Sequence, residues 1–291
     1  MRFSYAESMV DPSYYPALAR AAEAAGFDSF VVPESILYPR DSDTKYPYVE
    51  GGGREFLDGK PFLDPFCLAS SLAAVTERLR FVTFVVKLPL RHPVLAAKQA
   101  ASVAVLSGGR FALGVGLSPW PEDYDACGQP WHARGRRMDE QIEIIDGLCA
   151  GGYFEYHGDF YDLAPVKITP VPADRVPILI GGHAPAALER AARWDGWLHA
   201  GSESERLGEM VSSLLSMRSE LGREHDPFEI HVISLDGYGA AGCRRLEEIG
   251  VTDVIIGFRD AYQTGPDTET LKTKLDAIAR FGDTVIGASA L

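Results

Sequence analysis

Cysteine is scarce in this chain of 291 residues: only Cys67, Cys127, Cys149 and Cys243 occur, far apart and without a C-x-x-C pair. That spacing argues against a disulfide framework or a zinc ribbon and suits a reducing compartment. Positive charge is also in deficit. Lys and Arg number 28 against 41 Asp and Glu, a net charge of −13, and no basic run stands out. A nucleic-acid partner is therefore not expected, because its phosphates reward clustered cations. Apolar runs stay short of the ~18 residues a membrane span requires. The opening MRFSYAES reads as a strand, not as the apolar core of a signal segment. The expectation is a cytoplasmic protein with no membrane contact. Several catalytic signatures are missing too. The chain has no GxSxG elbow, no Walker lysine after a glycine loop, and no HExxH or HxxxH spacing, which argues against a serine hydrolase and a P-loop enzyme and leaves a metal site weak support.

What is present is a globular composition, 46% hydrophobic and 24% charged. Short apolar runs recur at residues 3–5, 30–32, 81–86, 111–115, 178–180, 197–199, 230–235 and 254–257. Most are apolar at consecutive positions, as strands covered on both faces must be. Between them the period changes to that of a helix. Tyr15, Leu18, Ala19 and Ala22 share a face, as do Met138, Ile142, Ile145 and Cys149. Leu207, Met210, Val211 and Leu214 repeat the pattern, and Leu271, Leu275 and Ile278 close it. A weak internal echo, AEAAGFDSFVV and LEEIGVTDVIIG, reads twice as helix, glycine stop and strand. These alternations predict an α/β fold: a (β/α)8 TIM barrel over residues 1–291 as a single domain. Long connections at residues 35–63 and 117–131 are insertions after strands 2 and 4. Residues 151–177 hold a hairpin around Gly158-Asp159 after helix 4.

In such barrels the chemistry sits at the carboxyl ends of the strands. Gly114-Val115-Gly116 ends one strand, where backbone approaches a ligand that no side chain blocks, or where glycine merely relieves crowding inside the barrel. Gly181-Gly182-His183 runs from a strand into a helix with Pro185 in its first turn, a phosphate-binding geometry or simply a tight turn. Glu34 after strand 2 and Glu7 after strand 1 are candidate catalytic carboxylates, and a solvated rim position is the plain alternative for each. His132, after the second long loop, is a candidate catalytic residue lining the pocket. His92 is expected to cap a helix, and His199 to end a strand with a claim on the pocket. Tyr38, Tyr46, Tyr48, Trp120 and Trp131 in the long loops suggest an apolar pocket or loop packing.

Taken as a set, AEAAGFDSFVV, TERLRFVTFVVKLPLRHPVLAAKQAASVAVLSGGRFALGVG, PEDYDACG, HARGRRMDEQIEIIDGL and VPILIGGHAPAALERAARWDGWL resemble the luciferase-like monooxygenase superfamily. This is the group of bacterial luciferase and its deazaflavin-dependent relatives, and the resemblance runs to about residue 200. It implies a TIM barrel that binds FMN or coenzyme F420 at its mouth. It also implies a non-proline cis peptide at Phe84–Val85 whose bulge supports the ring, with Gly181-Gly182 on the phosphate. The family often has Asp-His or Glu-His after strand 2. Here Glu34-Ser35 stands instead, which removes a histidine from any proton transfer at that spot. Chain length and motif wording favour F420, hence hydride transfer to a small organic substrate. The alternative is an FMN-dependent monooxygenase served by a separate reductase, and a second alternative is a flavin-binding protein without turnover. Relatives of this kind also suggest a homodimer through helix faces.

Overall fold

The computed structural model describes residues 1–46, 50–201 and 204–289. In chain order its strands begin with β1 (Arg2–Ala6), β2 (Ser29–Val32), β3 (Arg80–Thr83), β4 (Val86–Lys87) and β5 (Phe111–Gly116). Next come β6 (Phe154–His157) and β7 (Asp162–Val166), which pair only with each other, antiparallel, as the hairpin around Gly158-Asp159. β8 (Ile178–Gly181), β9 (Gly196–His199), β10 (Glu229–Ile233) and β11 (Asp253–Ile256) complete the set. Apart from the hairpin all pairings are parallel, and β3–β5 closes the ring β1-β2-β3-β5-β8-β9-β10-β11, with β4 continuing the β3 position. The fold is the expected TIM-type barrel.

Helices α1 (Tyr15–Ala24), α2 (Pro65–Ala73), α3 (Pro93–Leu106), α4 (Pro121–Ala126), α5 (Arg134–Cys149), α6 (Pro185–Ala191), α7 (Ser204–Glu220), α8 (Ala240–Glu248) and α9 (Leu271–Phe281) lie along the chain between and after the strands. The faces read from periodicity are the buried ones in α1, α5 and α7. In α9 the pattern is less regular. Ile278 is buried, but Lys274 is buried as well, held by Glu7, Asp267 and Glu269. Among the described residues, three of these helix starts have side chains that accept amide protons: Asp64 from Phe66 and Cys67, His92 from Val94 at 3.3 Å, and Thr270 from Thr273 at 3.2 Å.

The strands are apolar on both faces because two cores need them. Outward residues such as Phe3, Tyr5, Phe30, Phe81, Phe111, Leu113, Val115, Ile180, Trp197 and Ile256 pack beneath the helices. Inside the barrel, Val82, Ala112, Leu179 and Leu198 form a second, smaller cluster with Phe84 and Val85. The floor is polar. Arg80 on β3 reaches Glu229 on the opposite strand β10 at 2.9 Å, and Arg2 pairs with Asp253 at 2.7 Å.

The run at residues 81–86 is not one strand. It breaks after Thr83, and the Phe84–Val85 peptide is cis, as the resemblance implies. Where the ladder is interrupted, the Thr83 hydroxyl takes over: it accepts from the Gly114 amide and donates to the Gly114 carbonyl, both at 2.8 Å. A Cβ on Gly114 would lie 1.8 Å from the Thr83 carbonyl oxygen and 2.6 Å from Leu198 Cδ1. The space at Gly114 is thus taken by the protein's own backbone and is closed to any ligand. Gly114→Ala is expected to lower stability by about 1–3 kcal/mol or more through overpacking, read as a lower urea midpoint.

Candidate active site

At the mouth of the barrel, β4 pairs with β5, Val86 beside Val115 and Lys87 beside Gly116. Val86 and Val115 belong to the outer core, so alternation turns Lys87 and Gly116 toward the axis. Val85 lies across the glycines. A Cβ on Gly116 would sit 2.7 Å from Val85 Cγ2, and one on Gly181 would sit 2.8 Å from Val85 Cγ1. Both positions therefore need glycine so that Val85 can seat itself between them. Phe84 and Val85 are partly buried and form the upper end of the inner apolar cluster.

Beside this platform is a buried ion pair that sequence reading missed. Lys87 Nζ donates to Asp123 Oδ2 at 2.7 Å, and the Ser118 hydroxyl donates to the same oxygen at 2.6 Å. The side chains of Lys87 and Asp123 are 8% and 1% exposed. Asp123 Oδ1 has no hydrogen-bond partner among the described residues. The two residues are 36 apart in sequence, and a lone lysine in an apolar strand was the only signal that pointed here.

Glu34 is at the mouth, but its oxygens are committed. Oε2 accepts from the Lys87 amide at 2.7 Å and from Arg91 Nη1 at 3.2 Å, while Oε1 pairs with Arg91 Nη2. Burial pushes its carboxyl above the ordinary range, against the pull of Arg91 and the amide. Its observed part is to tie the end of β2 to the segment that follows Val85.

Glu7 does not face the mouth. It lies on the outer side with Tyr5, whose hydroxyl donates to it at 3.1 Å, and pairs with Lys274 at 3.3 Å and Arg259 at 3.8 Å. Strand alternation explains this, since Tyr5 two residues earlier packs in the outer core. A cavity of about 300 Å³ adjoins Glu7 there, between β1 and α9. His132 is exposed in the turn before α5.

The Gly181-Gly182 turn runs into α6, whose N-terminus no side chain caps. Gly182 has φ +127° and its carbonyl accepts from the Trp197 indole at 2.8 Å. His183 accepts from the Ala200 amide through Nε2 at 3.1 Å and stacks on His199, ring centres 4.3 Å apart. His199 is fully buried and accepts from the Gly201 amide. Burial lowers the pKa of His183 and, with His183 and Arg206 adding, takes His199 down to about 3. An unfolded histidine titrates near ~6.5, so the unfolded chain takes up this proton first. Stability is then complete above about pH 6.5 and falls as pH drops from there toward 3. The expected result is a lower Tm at pH 5 than at pH 7, with a smaller difference in His199→Gln.

A roof covers the mouth. Tyr46, from the loop after β2, stacks on Trp120 after β5 with ring centres 5.4 Å apart, and approaches Tyr262 after β11 at 6.1 Å. Since β5 and β11 stand on opposite sides of the ring, this contact spans the opening. Phe56 joins Tyr262 at 5.1 Å, and the Arg54 guanidinium lies 4.3 Å over Trp120 and 5.6 Å over Tyr38. Trp131 packs elsewhere, against Tyr124 and Arg134. Tyr48 lies outside the described residues.

Sequence spacing gave no hint of a metal site, yet on the floor Glu229, His231 and Asp253 bring ligand atoms within 4.8 Å of one another. They come from two strands, which no local motif can show. Arg2 and Arg80 already pair with both carboxylates, and two guanidinium groups beside a cation oppose its binding.

Comparison with known proteins shows the family and the fold. A protein of Mycobacterium tuberculosis (strain H37Rv) whose function is uncharacterised is 56% identical over 286 residues, covering 98% of this chain and 99% of its own. An FMNH2-dependent dimethylsulfone monooxygenase of Pseudomonas fluorescens is 29% identical over 194 residues, 66% of this chain but 48% of that protein. The structure of the coenzyme F420-dependent tetrahydromethanopterin reductase of Methanopyrus kandleri superposes with a TM-score of 0.75 at 16% identity, covering 99% of both chains, a likeness of fold. The sequence pattern of one family matches residues 3–235, and the chain belongs to that family of oxidoreductases, the luciferase-like monooxygenases.

Proposed function

We propose that the protein is an F420-dependent oxidoreductase that transfers a hydride between the deazaflavin and a small organic substrate at the barrel mouth. The observation that carries this reading is the platform of Val85 on the backbone of Gly116 and Gly181. It is apolar and only partly buried, with a charged pair at its side, and it fits a planar ring that has one polar edge. When bound, F420 supplies a two-electron hydride and does not itself activate oxygen. The chain supplies position and a dry site. Phe84 and Val85 support the ring, and Tyr46, Phe56 and Trp120 exclude water above it. Glu34 and Arg91 fix the segment that bears Val85, so Glu34 acts as a positioning residue, and in this reading the uncapped start of α6 after Gly181, Gly182 and His183 meets the phosphate. The same reading places the protein in the cytoplasm as a homodimer, consistent with Leu95 and Leu106 standing exposed on α3.

The likeness of fold to the F420-dependent tetrahydromethanopterin reductase supports F420. The sequence identity to the dimethylsulfone monooxygenase supports the second reading, an FMN-dependent monooxygenase with a separate reductase. Titration of the purified protein with F420 and with FMN, followed by ring fluorescence, separates the two. Saturable F420 binding with no FMN response is expected. Tight FMN binding with no F420 response would sink the first reading.

A further inference from the structure

We propose that Lys87 and Asp123 together read the imide edge of the bound ring, the side of a flavin or deazaflavin where a carbonyl stands next to an N–H. The inference rests on the flavin-type reading above and adds the group that orients the ring within the mouth. Gly116 links the pair to the platform: its missing Cβ makes room for Val85, and its register partner is Lys87. The pair is therefore at the rim of the surface on which the ring lies.

Its hydrogen-bonding capacity is incompletely used. An ammonium has three donors, and among the described residues that of Lys87 meets one side-chain acceptor, Asp123 Oδ2. Asp123 Oδ2 takes both Lys87 and Ser118, while Oδ1 is buried without a partner among the described residues. A buried charge with unused capacity is unfavourable unless something completes it. What the pair offers is a donor next to an acceptor. An imide edge offers the complement: its carbonyl accepts from Lys87 and its N–H donates to Asp123 Oδ1. A phosphate or carboxylate would be repelled by Oδ1, and an apolar edge would leave both charges desolvated. Neither Glu34 nor Arg91 competes for this role, since each is occupied with the other.

The test compares each natural ring with its N3-methyl derivative, in which the donor of the edge is replaced by a methyl group. Wild-type protein is titrated with FMN, F420 and the N3-methyl form of whichever ring binds, followed by ring fluorescence. The methylated ring is expected to bind at least about tenfold more weakly, the loss of one hydrogen bond to a charged acceptor. In Asp123→Asn, which keeps the shape of the side chain, the two forms are expected to bind within about twofold of each other, the natural ring having lost affinity. Circular dichroism melts establish that the variant is folded. Equal wild-type affinity for both forms, or discrimination that survives in Asp123→Asn, overturns the inference while ring binding stands. Failure of both FMN and F420 to bind the folded wild-type protein overturns the cofactor reading and this inference with it.

Discussion

Replacing Gly116 by valine is expected to weaken binding of the cofactor ring by roughly 100-fold, about 2.7 kcal/mol, while the barrel still folds. The reasoning is steric and local. The new Cβ would begin 2.7 Å from Val85 Cγ2, below any ordinary contact, and one of the two must move. Val85 is the one able to, because it is only partly buried at the mouth whereas Gly116 is fixed in the ladder beside Lys87. Val85 is β-branched and has few rotamers, so it escapes upward, into the volume where the ring would lie. The added valine methyl groups fill the rest. Fluorescence titration measures the loss, and a thermal melt verifies the fold. Wild-type affinity in a folded Gly116→Val protein would remove Val85 as the support of the ring.

Lys87→Met is expected to destabilise the protein by about 3–5 kcal/mol, the cost of leaving a buried charge unpaired. Asp123 would lose its cation at 1% side-chain exposure and, among the described residues, retain only the Ser118 hydroxyl. Methionine fills the volume of the aliphatic stem, so the effect comes from charge and not from a cavity. Urea denaturation measures it. The double variant Lys87→Met/Asp123→Leu is expected to recover much of the loss, because an apolar pair needs no partner. If the single variant costs less than about 1 kcal/mol, the value of a surface pair, the interaction is solvated and has no part in setting the site.

The eight strands, their order, the hairpin and the buried faces of α1, α5 and α7 were legible because burial on both faces and the helix period leave a mark within each short segment. The site was legible only in outline. The end of a strand can be recognised as the address of chemistry, but not the direction in which its side chain turns. Glu7 and Glu34 both follow strands. One sits outside the barrel with Lys274, and the other is clasped by Arg91 across 57 residues of sequence. Gly114 and Gly116 occupy one strand two residues apart. The first makes way for the Thr83 carbonyl and the second for the side chain of Val85.

By itself the sequence determined the alternation of strand and helix, the family, and the general position of the active end, since these depend on local periodicity and on contiguous motifs. Only the tertiary structure decided what meets at the mouth: Lys87 with Asp123, Tyr46 with Trp120, and Val85 with Gly116 and Gly181. The physical reason is closure. Forming the β3–β5 pair bends the sheet into a ring, and ring closure brings together residues whose separation along the chain carries no signal of their contact.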